Sequence, residues 1–148
     1  MALIKLNKLA LPTGSILQIK ETTGTTTHNT TSTTFADVIS LAITPVSSSS
    51  IIHVQFTARV YMPSLATEHR IKFLRGSTNL EVYQGAWHTG SGTTARREIW
   101  EYYDTHSSSS EITYKVQHKT GTSGNSVSIN PNNETDGIYM LTLKEIVA

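Results

Sequence analysis

Hydrophobic and polar residues alternate along most of this chain. In SIIHVQFTARVY, Ile52, Val54, Phe56, Ala58 and Val60 fall on one face and His53, Gln55, Thr57 and Arg59 on the other. That is the two-residue period of a half-buried strand. TFADVISLAITP repeats it, with Phe35, Ile39, Leu41 and Ile43 on one face and Pro45 as the stop. EITYKVQHK sets Ile112, Tyr114 and Val116 against Thr113, Lys115 and Gln117, and GIYMLTLKEIV is apolar on both faces at its centre, which predicts an interior strand. Shorter runs predict further strands: SILQIKE (15–21), HRIKFLR (69–75), NLEVYQ (79–84), REIWEYYD (97–104) and SVSIN (126–130). Turn signals such as RGSTN, TGSGTT, TGTSGN and NPNNETDG separate them.

Apolar spacings of three and four, which a helix would need, are nearly absent. With no helix to carry a parallel crossover, the strands must pair antiparallel. The expectation is an all-β protein, an antiparallel β-sandwich of jelly-roll type with about eight or nine strands.

Composition sharpens this picture in a few places. Thr and Ser make up roughly a quarter of the 148 residues, far above ordinary usage. Three segments, TTSTTFADV, VSSSSIIHV and HSSSSEITYKV, each run from hydroxyl residues into an alternating strand. Independent polar turns account for them more simply than an internal repeat, because Ser and Thr hydrogen-bond nearby backbone. ETTGTTTHNTTSTTF (21–35) reads as a strand, a hydroxyl-rich turn and the next strand, with Gly24 or Asn29 at the reversal.

The chain has no cysteine and a formal charge of +1 with its basic residues scattered. Disulfides and thiolate chemistry are thereby excluded, and electrostatic capture of nucleic acid or of a membrane gains no support. No apolar run is long enough to span a bilayer. MALIKLNKLALPTGS is interrupted by Lys5 and Lys8 and lacks a cleavage pattern, so it is expected to stay on the mature protein.

GSILQIKETTGTTTHNTTSTTFADVISLAITPVSSSSIIHVQFTARV, then IKFLRGSTNLEV, SSSEITYKVQHKT and IYMLTLKEI, resemble small virion proteins of tailed bacteriophages. These occur as capsid decoration or cement proteins and as tail-fibre end domains. The similarity runs in order over residues 14–147. It implies a jelly roll that forms a homotrimer, contacts the major capsid protein of the same phage, and carries no enzyme activity and no cofactor. The expected location is the outer surface of the virion head, after synthesis in the bacterial cytoplasm.

Which virion part the chain forms turns on residues 1–13, an N-terminal arm ahead of a sandwich domain over 14–148. A tail fibre is expected to have an anchor and a shaft, for which a chain reaching the sandwich by residue 15 leaves no room. The arm instead carries Leu3, Ile4, Leu6, Leu9 and Leu11. At about 1.5–3 kcal/mol each on full burial, these five offset the cost of ordering the arm only if most of them dock. Three readings stay open: the arm is the first edge strand of its own sheet, it reaches a neighbouring subunit or the shell, or it is a disordered tail.

The alternative function, a tail protein recognising a host glycan, rests on Trp87 and His88 in the glycine-flanked stretch GAWHTGSG. There a ring could stack on a sugar; otherwise Trp87 ends a strand and caps the core. No catalytic site is expected. Glu98 and Glu101 flank Trp100, but an odd separation sets them on opposite faces of a strand. The six histidines form no metal-ligand spacing, and His53 and His118 are placed on polar strand faces.

Overall fold

The computed structural model describes residues 11–63, 67–88, 92–130 and 137–148, with 86–88 as backbone. Ten strands form: β1 (Ile16–Gly24), β2 (His28–Thr30), β3 (Ala36–Ile43), β4 (Ile51–Met62), β5 (Thr67–Arg75), β6 (Thr78–His88), β7 (Thr94–Thr105), β8 (Ile112–Thr120), β9 (Val127–Ile129) and β10 (Tyr139–Ile146). All pairings are antiparallel.

One sheet sets β1, β10, β4 and β7 side by side; the other has the order β3, β8, β5, β6. The eight long strands therefore switch between two four-stranded sheets in the order of a jelly roll, the β-sandwich expected from the alternation. β2 and β9 complete the first sheet. β10 pairs with β4 from Ile51 to Thr57, and β9 takes over the same edge at Val60 and Tyr61, while β7 occupies the whole opposite edge. β2 pairs with β9 as β1 pairs with β10. Two lines of this sheet are thus interrupted strands.

Asn130 holds the junction between the interruptions. Its φ of 50° is in the left-handed region, which Asn tolerates better than most residues. Its N–H donates to Arg59 O at 2.9 Å, its carbonyl accepts from Thr27 Oγ1 at 2.6 Å, and its side-chain amide donates to Thr25 O. Gly24, the last residue of β1, has no room for a side chain, because a Cβ would overlap the Tyr139 ring.

The core lies between the sheets. Ile52, Val54, Phe56, Ala58 and Val60 all point inward and are buried, as their period dictates. They meet Ile71, Phe73, Tyr114 and Val116 of the second sheet, with Leu141 and Leu143 of the interior strand β10 alongside.

Four expectations need correction. The hydroxyl-rich segment is more than a turn, since His28–Thr30 forms β2 and Asn29 sits in that strand instead of at a reversal. Phe35 does not share the inward face of Ile43. A bulge between Asp37 and Ile39 shifts the phase, so Val38 is buried while Phe35 lies on the outer face beneath the ammonium groups of Lys72 and Lys119. His118 is 2% exposed and inward-facing, because it shares parity with Ile112, Tyr114 and Val116. Finally, β6 runs on to His88, so Gly85–His88 is strand and not loop.

Candidate docking site

The first candidate site is the end of the sandwich where the two chain termini meet. Pro12 to Ser15 form a turn closed by Ser15 N–H donating to Pro12 O at 3.1 Å, with Gly14 at φ 88°. That conformation favours glycine. Gly14 N–H then donates to Val147 O at 2.8 Å, and Val147 N–H to Ser15 O at 2.9 Å. The turn delivers the chain into a cleft of about 260 Å³, where half-buried Leu11 meets Leu17 and Val147 across a rim of Ser47 and Ser49.

Beneath that rim Glu145 is fully buried. Its carboxylate accepts from Val46 N–H (2.9 Å), Ser47 N–H (3.0 Å), Ser50 Oγ (2.6 Å) and Gln18 Nε2 (2.6 Å). Burial pushes its pKa up, but the donors from Gln18, Ser50, Val46 and Ser47 outweigh it and hold the carboxyl below its ordinary value. The 44–50 loop is therefore folded around an anion supplied by β10.

A second cleft, of about 470 Å³, opens beside Arg75, His106 and Glu111 at the same end. Its wall is braced by Asp104, which accepts from Arg75 Nη1 at each of its two oxygens (2.9 and 3.0 Å) and from the Tyr114 hydroxyl (2.6 Å). Burial first, and Asp104 second, push the Tyr114 hydroxyl well above the ordinary phenol value.

Ser50, His106 and Glu145 are the residue types of a nucleophilic triad, but their connections are wrong for one. Ser108 N–H donates to His106 Nδ1 at 3.2 Å, which leaves the ring proton on Nε2. That Nε2 lies 3.2 Å from Ser50 Oγ and faces it as a donor, so it cannot take the hydroxyl proton. Glu145 bonds the serine and not the imidazole.

The serine runs have a simpler role. Ser49 N–H bonds Ser47 Oγ, Ser110 N–H bonds Ser108 Oγ, Ser32 N–H bonds Thr30 Oγ1 and Thr34 N–H bonds Ser32 Oγ. Each is a side chain satisfying backbone two residues on, as turns require. VSSSS and HSSSS meet through Ser50 and His106, whereas TTSTTF lies at the opposite end.

Of the arm residues, Leu11 lines the first cleft; Leu3, Ile4, Leu6 and Leu9 lie outside the described residues. Trp87 and His88 are paired with Glu68 and Thr67 at the far end of β6, remote from Leu11. The two sequence-derived sites are therefore at opposite ends of the sandwich. Glu98 and Glu101 are also separated, Glu98 pairing with Arg96 and Glu101 lying beside His53 at 3.5 Å.

Two features escaped the sequence reading. On the outer face of the first sheet, register puts Ile19, Lys144, His53 and Tyr103 in one line across four strands. Ile19 and Tyr103 are 54% and 59% exposed, and Tyr103 stacks on His53 with ring centroids 4.4 Å apart. Inside the sandwich, His28, His69 and His118 form a chain of rings, which parity could have revealed: His69 repeats the phase of Ile71 and Phe73. Among the described residues, no group of three or more His, Cys, Asp or Glu is arranged to hold a metal ion.

No family model matches the sequence, and no curated protein does. Among solved structures, the chain is similar to part of dimeric latent PorU from Porphyromonas gingivalis, at 8% identity and a TM-score of 0.42 over 90% of this chain and 11% of that one. It is also similar to the structure of infectious bursal disease virus Gx strain, at 13% identity and a TM-score of 0.47 over all of this chain and 42% of that one. This chain thus spans about a tenth and about two fifths of these neighbours. At such identities and scores neither neighbour says what this chain binds or does.

Proposed function

We propose that this chain is a structural protein of a phage virion, a homotrimeric decoration protein that clamps the head shell through its N-terminal arm. The observation that carries the reading is the geometry around Leu11. The Pro12–Ser15 turn seats Leu11 at a cleft with an apolar wall, Leu17 and Val147, and a hydroxyl rim, and the sequence ahead of it is rich in leucine and isoleucine. Apolar side chains of that number are stable only against another surface. The resemblance over residues 14–147 supplies the kind of surface, a capsid shell.

In this reading the work is mechanical. A protein that binds only the assembled shell stabilises it by mass action, without turnover. The exposed line through Ile19 and Tyr103 offers apolar area for contact between copies.

Deletion of residues 2–10 tests the proposal. The truncated chain is expected to keep its unfolding midpoint and its oligomeric state while losing occupancy on purified undecorated shells by at least tenfold. Decoration at normal occupancy without the arm would overturn the arm's role. A count of copies per particle tests the location: hundreds support the head, a few dozen or fewer the tail.

A further inference from the structure

At the end of the sandwich opposite the termini, three histidines are strung between the sheets. His69 of β5 is fully buried and His118 of β8 is 2% exposed. Their facing nitrogens, Nε2 and Nδ1, are 3.3 Å apart, so one ring donates and the other accepts. His28 of β2 lies edge-on to His118, ring centroids 6.2 Å apart, and its Nε2 is 2.9 Å from the Tyr139 hydroxyl of β10. Trp100 of β7 closes the other end against His69.

Among the described residues, no carboxylate is paired with this chain. The titratable groups facing it are the histidines themselves and Tyr139; Glu68 and Arg70 on β5 are paired with each other, and Lys119 on β8 turns outward to Phe35. β9 contributes only Val127, Ser128 and Ile129, and β4 packs Phe56 against Tyr139. His69 Nδ1 is buried with no partner. A second proton on His69 would therefore create an N–H with no acceptor, and protons on both facing nitrogens would abolish the 3.3 Å bond.

We propose that this histidine chain is an acid-operated latch, whose protonation releases β2 from the sheet edge and opens this end of the sandwich while the rest stays folded. β2 is the element that yields. It is three residues long, pairs only with β9, and carries the half-buried and most accessible histidine of the chain. Removing it gives water a path to His118 and then to His69.

The direction with pH follows from burial. Burial first, and neighbouring histidines second, lower His69 to about 3 and His118 to about 4, and burial lowers His28. A closed latch is thus fully stable above the ordinary imidazole value near 6.5 and loses stability as pH falls below it. At about pH 5, His69 and His118 each favour the open form by about 30-fold on regaining ordinary solvation, and His28 acts in the same direction. The inference is independent of the virion reading.

Site-resolved amide exchange on the full-length protein, at about pH 7 and about pH 5, tests it. After correction for the intrinsic rates, protection of the 28–30 amides and their β9 partners is expected to fall by at least tenfold. The β4 and β10 amides should keep theirs. Unchanged protection in β2, or an equal loss in every strand, would overturn the latch. A folded His118→Gln variant should lose about one histidine's share of the response, and a full wild-type response in it would also overturn the proposal. Should that variant not fold, the wild-type exchange pattern decides alone.

Discussion

Replacing Glu145 with Gln removes one charge and almost no volume, and the geometry predicts what that costs. Each carboxylate oxygen takes two donors: Oε1 from Ser47 N–H and Ser50 Oγ, Oε2 from Val46 N–H and Gln18 Nε2. A glutamine must turn its NH₂ toward one of these pairs. The side chains can adapt, since Ser50 Oγ also lies 2.7 Å from Ser47 O and Gln18 Nε2 2.8 Å from Thr44 O. The backbone cannot, so either orientation leaves one N–H, of Val46 or of Ser47, facing an N–H. An orphaned buried donor costs about 1–3 kcal/mol, and the lost charge assistance brings the total to about 2–4 kcal/mol.

The cost should depend on pH. Glu145 is held below its ordinary pKa, so its contribution is complete above the unfolded value of 4.5 and is lost as pH falls through the lower folded value. Urea unfolding followed by tryptophan fluorescence at about pH 7 and about pH 3.5, wild type against Glu145→Gln, measures this. The gap should be about 2–4 kcal/mol at the higher pH and narrow at the lower one. The buried histidines are common to both proteins and cancel. A gap below about 1 kcal/mol at pH 7 would refute the account of the 44–50 loop as a fold around a buried anion.

Substitutions at two further positions probe the ends separately. Asn130→Ala loses the amide bond to Thr25 O and puts a Cβ residue without a compensating side chain at φ 50°, which should cost about 2–3 kcal/mol. Asn130→Gly should recover the backbone part, so thermal unfolding of the pair separates conformation from hydrogen bonding. Tyr114→Phe removes one donor from Asp104 but leaves Arg75 in place, and should lower stability by about 1–2 kcal/mol in chemical denaturation.

The strands were legible wherever burial alone decides the pattern. β4 is the clearest case: its inward residues alternate without interruption because β7 and β10 keep its ladder regular. β3 was misphased because a single extra residue between Asp37 and Ile39 inverts everything before it, and nothing in FADVIS marks a bulge. His118 illustrates a different loss. Parity with Ile112, Tyr114 and Val116 put it inside, but polarity argued for the surface, and polarity is a poor guide when histidines can hydrogen-bond one another. β2 has no apolar pattern at all; it forms because Asn29 and Thr27 bond across to Ser126, Ser128 and Asn130, residues about a hundred positions away.

The lower site was partly readable. Of the five apolar arm residues that the sequence singles out, Leu11 lines a cleft. The carboxylate under the rim was not readable, since KEIVA at the chain's end gives no sign that Glu145 alone would be fully buried. Its donors come from β1 and the 44–50 loop, which only the fold brings together.

The interrupted line of the first sheet decouples chain length from architecture. Ile129 and Met140 are eleven positions apart, yet their partners on β4, Val60 and Thr57, are only three apart. β9 and β10 each hold their own register on β4, so the ladder is independent of the length of chain that joins them. Lengthening that connection costs only the slow logarithmic entropy of a larger loop. Variation in length between relatives, or a foreign peptide grafted for display, can therefore be accommodated there without a single strand moving.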